Sequence, residues 1–168
     1  MHDICADTGL EPSIVQALMP DRDALLFGLL EDDQAQLEGV LYRLEATSLD
    51  EMERLTRFVQ GALQIAGTAE RAKVLTELWA TVLSRPDLSD WAAERIRGRR
   101  TILRNWIDRA GGDPFSPVPS NALASAVLAL LDGLILHAGL DPRAFKWENV
   151  SGAIDSMLGN LSSGRAPS

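Results

Sequence analysis

Residues 121–140 read NALASAVLALLDGLILHAGL, a helical run that is apolar on every side yet carries Asp132 and His137. A helix apolar all round must be covered all round. Val127, Leu130, Leu131, Leu134 and Ala138 recur at the i, i+3, i+4, i+7 spacing of one helix face, whereas Leu123, Leu128, Ile135 and Leu136 stand off that stripe and need a second apolar neighbour. One side is therefore expected to be domain core and the other a partner contact. The rival reading is a membrane span, because the run approaches the roughly 20 residues that cross a bilayer. A central Asp132 is costly in lipid, and the N-terminal flank offers no Lys or Arg anchor, so the span is set aside.

Composition narrows the classes that remain. With 46% hydrophobic residues in 168, the chain can bury one sizeable core and is not of disordered type. A formal charge of -8 gives nothing global to attract nucleic acid or an anionic membrane, so any DNA contact must come from a local basic patch. One cysteine, Cys5, excludes an internal disulfide and a cysteine zinc cluster. MHDICADTGLEP has neither a basic n-region nor a long apolar core, so neither signal nor transit peptide is expected, and the chain is predicted to be soluble and cytoplasmic.

Helical periods dominate and two-residue alternation is hardly found, which predicts an all-α fold of eight helices. The first covers about residues 2–8 and ends at Gly9, a residue suited to a left-handed cap. Glu11 and Pro12 open a second that runs to Met19. Asp21 caps a long third helix with Leu25, Leu26, Leu29, Leu30, Leu37, Val40, Leu41 and Leu44 at helical spacing and a wet, acidic opposite face. Ser48, with Glu51 three residues on, predicts a capping box for the fourth. The fifth covers 69–84 and is stopped by Pro86, and the sixth runs from Asp87 to the Gly111–Gly112 pair. GGDPFSPVPS is the clearest linker before the 121–140 helix, and a last helix places Val150, Ile154, Met157, Leu158 and Leu161 on one face ahead of a frayed tail.

The wording of two segments resembles the TetR family of bacterial transcriptional regulators, and the helix order follows it over nearly the whole chain. Asp3 to Leu26, DICADTGLEPSIVQALMPDRDALL, is similar without gaps to that family's second helix, turn, recognition helix and start of the connecting helix; Ile4, Ala6, Gly9, Leu10, Met19, Pro20, Ala24, Leu25 and Leu26 carry the likeness. Leu128 to Pro142, LALLDGLILHAGLDP, looks like the penultimate helix of the ligand-binding half, and Asn149 to Leu161 like its last. The resemblance implies a TetR-like helical bundle: an incomplete helix-turn-helix head over 1–24, a ligand-binding and dimerisation domain over 25–162, and a flexible tail over 163–168. It also implies that the last two helices pair with their copies in a four-helix dimer interface, for which Val127, Leu131, Leu134, Ile154, Met157, Leu158 and Leu161 are the candidates.

Three departures from the family bear on DNA binding. Met1 falls where the family's second helix starts, so its first helix is expected to be absent, and Ile4, Val15 and Met19 would lose cover worth on the order of 1 to 3 kcal/mol each. In the recognition helix the usual opening Ser or Thr is Glu11, the usual Tyr is Gln16 and the usual His is Leu18. That leaves Ser13, Gln16 and Arg22 as DNA-contacting candidates, Gln16 suited to a base edge and Arg22 to a phosphate. Between residues 1 and 33 Arg22 is the only base against Asp3, Asp7, Glu11, Asp21, Asp23, Glu31, Asp32 and Asp33. Non-specific affinity comes mostly from Lys and Arg on phosphates, so this surface disfavours DNA.

The resemblance further implies a cavity for an unidentified small apolar or amphipathic ligand, with Phe58, Ala62, Leu75, Trp79, Ile102, Trp106 and Leu130 as lining candidates. Aromatic residues at helical spacing ordinarily fill a core, and that bland reading stands beside the cavity. The run RIRGRR, with Arg95, Arg97, Arg99, Arg100 and Arg104, fits a solvated face that pairs with the acidic third helix better than a nucleic-acid patch, since no aromatics interleave it. Arg95 and Arg99 fall on the apolar stripe, where one could meet a carboxylate. His137 reads as a packed histidine or a favourable charge at a helix C-terminus, and Asp132 as part of a helix contact. No metal spacing, nucleophile with base, or phosphate-cradling glycine loop is found, so neither a cofactor nor an enzyme is expected. Two functions follow: a ligand-responsive homodimeric regulator with weakened or lost DNA binding, or a DNA-binding-deficient partner or ligand sink of an intact relative, as a heterodimer.

Overall fold

The computed structural model describes residues 9–110 and 118–143, together with 5, 7, 145, 146, 149, 150, 152–154, 156 and 157. Six helices have defined bounds: α1 (Pro12–Leu18), α2 (Arg22–Glu45), α3 (Glu51–Ala66), α4 (Ala69–Ser84), α5 (Pro86–Arg109) and α6 (Ser120–Leu140). Residues 5, 7, 149, 150, 152–154, 156 and 157 are also helical, and no strand occurs among the described residues. The fold is all-α. The expected first helix and the loop from Gly111 to Pro117 lie largely or wholly outside the described residues, as do Leu158, Leu161 and the tail.

Local chemistry explains most boundaries. Gly9 has φ +67°, and its N–H donates to the Cys5 carbonyl at 3.0 Å. Pro12 supplies the first helical position of α1, where its missing N–H is not needed. The Asp21 carboxylate accepts from the Ala24 N–H at 2.8 Å and caps α2. At α3 the expected Ser48 capping box does not form: Asp50 is the N-cap, accepting from the Glu53 N–H at 2.8 Å. Asp50 takes the role because it directly precedes the helix and holds the extended backbone a cap requires. Thr68 caps α4 in the same way, through Arg71. Pro86 starts α5 one residue earlier than expected, and the hydrogen bond from Arg85 holds the Asp87 carboxyl below its ordinary range.

The chain divides into two compact units, residues 1–35 and 36–168. In the first, α1 buries Val15 alone, and Leu10, Ile14 and Leu18 are exposed. Asp33, placed by sequence on the wet face of the long helix, is buried beside Gln34, whose amide donates to it at 3.2 Å.

In the second unit α6 is central, packing against α3, α4 and α5. The core joins Leu41, Leu55, Phe58, Leu103, Trp106 and Val127 with Leu131 and Ile154. Phe58 and Trp106 meet edge to face with ring centroids 6.5 Å apart, the geometry that ring quadrupoles favour. The Trp106 indole N–H donates to Glu45, so the one polar atom of a fully buried ring has an acceptor. Arg109 then clamps the ends of three helices, its Nε 3.0 Å from Glu51 and its Nη2 3.3 Å from Glu45. Where α6 crosses α4, a Cβ on Gly139 would lie 3.3 Å from the backbone of Ala72 and Lys73, so glycine permits backbone contact there.

Although α6 is long and apolar enough to cross a bilayer by length and composition, it is built into this helical unit. Only 22% of its apolar window is buried. Leu130, Leu136 and Leu140 are left exposed.

Candidate functional site

Two of the openings among the described residues of the second unit bear on function. The first, of about 360 Å³, is a cleft between α2 and α5 with Glu38, Tyr42, Trp91, Arg95, Arg99 and Ile102 on its walls. Helical spacing produces it: Trp91, Arg95, Arg99 and Ile102 fall three or four apart along α5, and Glu38 and Tyr42 are one turn apart on α2. Arg95 Nη1 lies 2.9 and 3.0 Å from the two Glu38 oxygens, and its guanidinium sits 5.5 Å from the centre of the Trp91 ring. The arginine charge is thus shared between a carboxylate and an aromatic face. Arg99 is buried.

The second opening, of about 470 Å³, is a groove between α4, α5 and α6. Trp79, Leu83, Ile96, Ile135 and Leu136 give it an apolar lining, and Asp132 is the one charged side chain on its wall. A volume of this order, an apolar surface and few polar groups are the usual make-up of a small-molecule site. Among the described residues no group of three or more His, Cys, Asp or Glu side chains could hold a metal ion.

The sequence profile of BetI-type transcriptional repressors, for their C-terminal region, matches residues 51–162, two-thirds of the chain and the whole run from α3 through α6. The chain belongs to the TetR family of transcriptional regulators. No curated protein matches it. The crystal structure of a protein from Pseudomonas aeruginosa PAO1, assigned as a transcriptional regulator, has a similar fold: TM-score 0.64 at 20% identity, over 97% of this chain and 80% of that one.

Within this TetR-family fold the residues expected to line one cavity are dispersed. Phe58, Ala62 and Trp106 are closed inside the packed core, and Leu75 is buried on the inner face of α4. Ile102 reaches the α2–α5 cleft, Trp79 the α4–α6 groove, and Leu130 stands exposed on α6. The reason is physical: helical spacing marks which side chains turn inward, and the same spacing serves a filled core and a void. Glu38, Tyr42 and Trp91 were not singled out as site residues, and their only signal was a carboxylate and two rings at the spacing of the arginines.

The residues expected at a dimer face fall into different surroundings within the one chain. Val127, Leu131 and Ile154 are buried in the subunit's own core and Leu134 packs against it, while Met157 is exposed and Leu158 and Leu161 lie outside the described residues. Core packing claims Val127 and Leu131 of the stripe and draws in Leu123 and Leu128 from beside it, while Leu130 of the stripe and Leu136 off it are left outward. Ser13, Gln16 and Arg22 are all exposed in the first unit. Of the arginine run, Arg95 meets Glu38 of α2, Arg104 pairs with Asp108 on its own helix, and Arg99 is buried instead of solvated.

Proposed function

We propose that this chain works as a cytoplasmic, dimeric, ligand-responsive regulator whose hold on DNA is weak. The observation that carries the proposal is the outer side of α6, where Leu130, Leu136 and Leu140 are exposed on a largely apolar helix whose exposed charge-bearing side chains are Asp132 and His137. Contiguous apolar surface of this kind marks an interaction site. A second copy of the same helix is its simplest cover, since a twofold contact buries the same patch on both subunits. The α4–α6 groove is the place for a small apolar or amphipathic ligand. Such a ligand regulates by binding two dimer geometries unequally and shifting their populations.

The head supports weak DNA binding. Its exposed charges among the described residues are Asp7, Glu11, Asp21, Asp23, Glu31 and Asp32 against Arg22, and DNA affinity rests on cations meeting phosphates. The same surplus favours a second reading, in which the chain pairs with an intact relative, or competes with it for ligand, without reading DNA itself. Sedimentation of the purified chain, with fluorescence anisotropy on DNA from around its own gene at roughly 50 and 200 mM salt, separates them. A dimer with saturable, sequence-dependent, salt-sensitive binding establishes a DNA regulator. A folded dimer that leaves DNA free at the lower salt favours the partner role, and a monomer at micromolar concentration overturns the dimer in both.

A further inference from the structure

The polar groups on the wall of the α4–α6 groove are unevenly divided between acceptors and donors. Thr76, Trp79 and Leu83 follow one face of α4, and Asp132, Ile135 and Leu136 one face of α6, so the carboxylate stands among apolar side chains of the same stripe. Asp132 is the one charged side chain there, and an ionised carboxylate accepts hydrogen bonds and donates none. The Thr76 hydroxyl hydrogen is already committed, since its Oγ1 donates to the Ala72 carbonyl at 2.8 Å. The indole of Trp79 is left as the one neutral donor group, and no Lys, Arg or His stands on this wall.

The carboxylate decides what can fill such a groove. Asp132 is exposed, so water reaches it until another molecule lies against Trp79 and Leu136. An apolar body in that place strips water from the carboxylate, and a charge that loses water without new hydrogen bonds is costly. A neutral hydrocarbon leaves that cost standing, and an anion adds repulsion to it. A protonated amine removes it, because its N–H groups make charge-assisted hydrogen bonds to the carboxylate oxygens. Asp132 already engages another group of the chain, but a carboxylate has about four lone-pair sites and can be shared. We infer that the ligand of this groove is a protonated primary or secondary amine on an apolar body, with its N–H groups on Asp132. The inference rests on the proposed ligand role of the groove and narrows it to one chemical class.

The test is isothermal titration of the full chain with four probes that share one body: phenylbutylamine, phenylbutanol, phenylbutyrate and phenylbutyltrimethylammonium. The amine should bind at least fivefold tighter than the alcohol and the trimethylammonium, which has charge but no N–H, and phenylbutyrate should bind weakest. Asp132→Asn should bring the amine to within about twofold of the alcohol, since it removes the charge and keeps the shape. Asp108→Asn removes the same charge from an exposed position outside the groove and should leave the amine's advantage intact. Ala80→Trp, which places a ring on the groove wall, should weaken every probe. Circular dichroism checks that the variants are folded, and the wild-type ranking decides alone if Asp132→Asn is not.

An amine that binds no better than the alcohol, a trimethylammonium that matches the amine, or an advantage that survives Asp132→Asn overturns the inference. If the alcohol then still binds saturably and loses affinity in Ala80→Trp, the ligand role of the groove stands without it. No saturable binding of any probe at millimolar concentration, or binding indifferent to Ala80→Trp, overturns both.

Discussion

Arg95 on α5 reaches both carboxylate oxygens of Glu38 on α2 through a single nitrogen, at 2.9 and 3.0 Å, and keeps its guanidinium 5.5 Å from the Trp91 ring centre. The Arg95 side chain is 40% exposed and that of Glu38 22%, so water screens much of the attraction. A double-mutant cycle with Arg95→Ala and Glu38→Ala, read by urea unfolding, should return a coupling of about 0.5 to 1 kcal/mol. A value near zero would mean that water takes the whole of the pair's attraction.

Trp106 is the side chain whose loss should be felt most. It is fully buried, stands edge-on to Phe58 and gives its indole N–H to Glu45. Trp106→Ala should cost about 3 to 5 kcal/mol, a large share of a domain's stability. Trp106→Phe keeps most of the packing and loses the hydrogen bond, so chemical denaturation should show it intermediate. If Trp106→Ala unfolds at nearly the wild-type midpoint, the core is not centred on this ring.

Two glycines should respond in opposite directions to alanine. At Gly139 the added carbon meets the Ala72 and Lys73 backbone at 3.3 Å, and backbone gives way less readily than a side chain. Gly139→Ala should therefore destabilise by about 1 to 3 kcal/mol. Gly98, inside α5, has nothing within 4 Å of the same position, so Gly98→Ala should stabilise by about 0.5 to 1 kcal/mol through helix propensity. Thermal unfolding of the two variants checks the pair at once.

The α3 cap gives a smaller but cleaner contrast. Removing the Asp50 oxygen that accepts from Glu53 should cost about 1 kcal/mol, and Ser48→Ala should be within experimental error of wild type. Equal losses from the two would mean that the expected capping box forms in solution after all.

The outer side of α6 sets the last expectation. If the proposed dimer forms through this side, replacing Leu136 and Leu140 by Glu should leave a folded chain and raise its dissociation constant by at least tenfold in sedimentation, because both side chains are exposed. Val127→Glu should unfold the subunit instead, since Val127 is already inside its core.

The all-α class and nearly every helix boundary were legible in the chain, because proline, glycine and capping residues act locally and their effect is over within a turn. Asp21 caps α2 and Pro86 ends the run of α4, as their positions required, whereas the capping by Thr68 appears only in the structure. Which apolar residue meets which was not legible to the same degree. Leu130 and Leu131 both sit on the one stripe of α6, yet the second is core and the first is exposed, and the difference lies in what α3, α4 and α5 place beside them. Asp33 is a similar case: it looked like one more solvated acid, and the structure buries it next to Gln34. The candidate cavity was the least legible, since a void has no residues of its own, and Phe58 and Trp106 take the core-filling reading that stood beside it.

The bare backbone crossing at Gly139 has a consequence for whatever enters the α4–α6 groove. Thr76 and Leu136 line the groove about one turn away from Ala72 and Gly139, where the two helices touch without side chains between them. Under the proposed ligand role, a visitor would meet a corner of bare backbone at that end, like the spine of a book, whereas the exposed Leu83 stands at the other. Chemical variation among visitors would accordingly be sorted by thickness at the corner and tolerated at the mouth. Evolution could retune taste through Leu83 or Ile96 while leaving Gly139 alone.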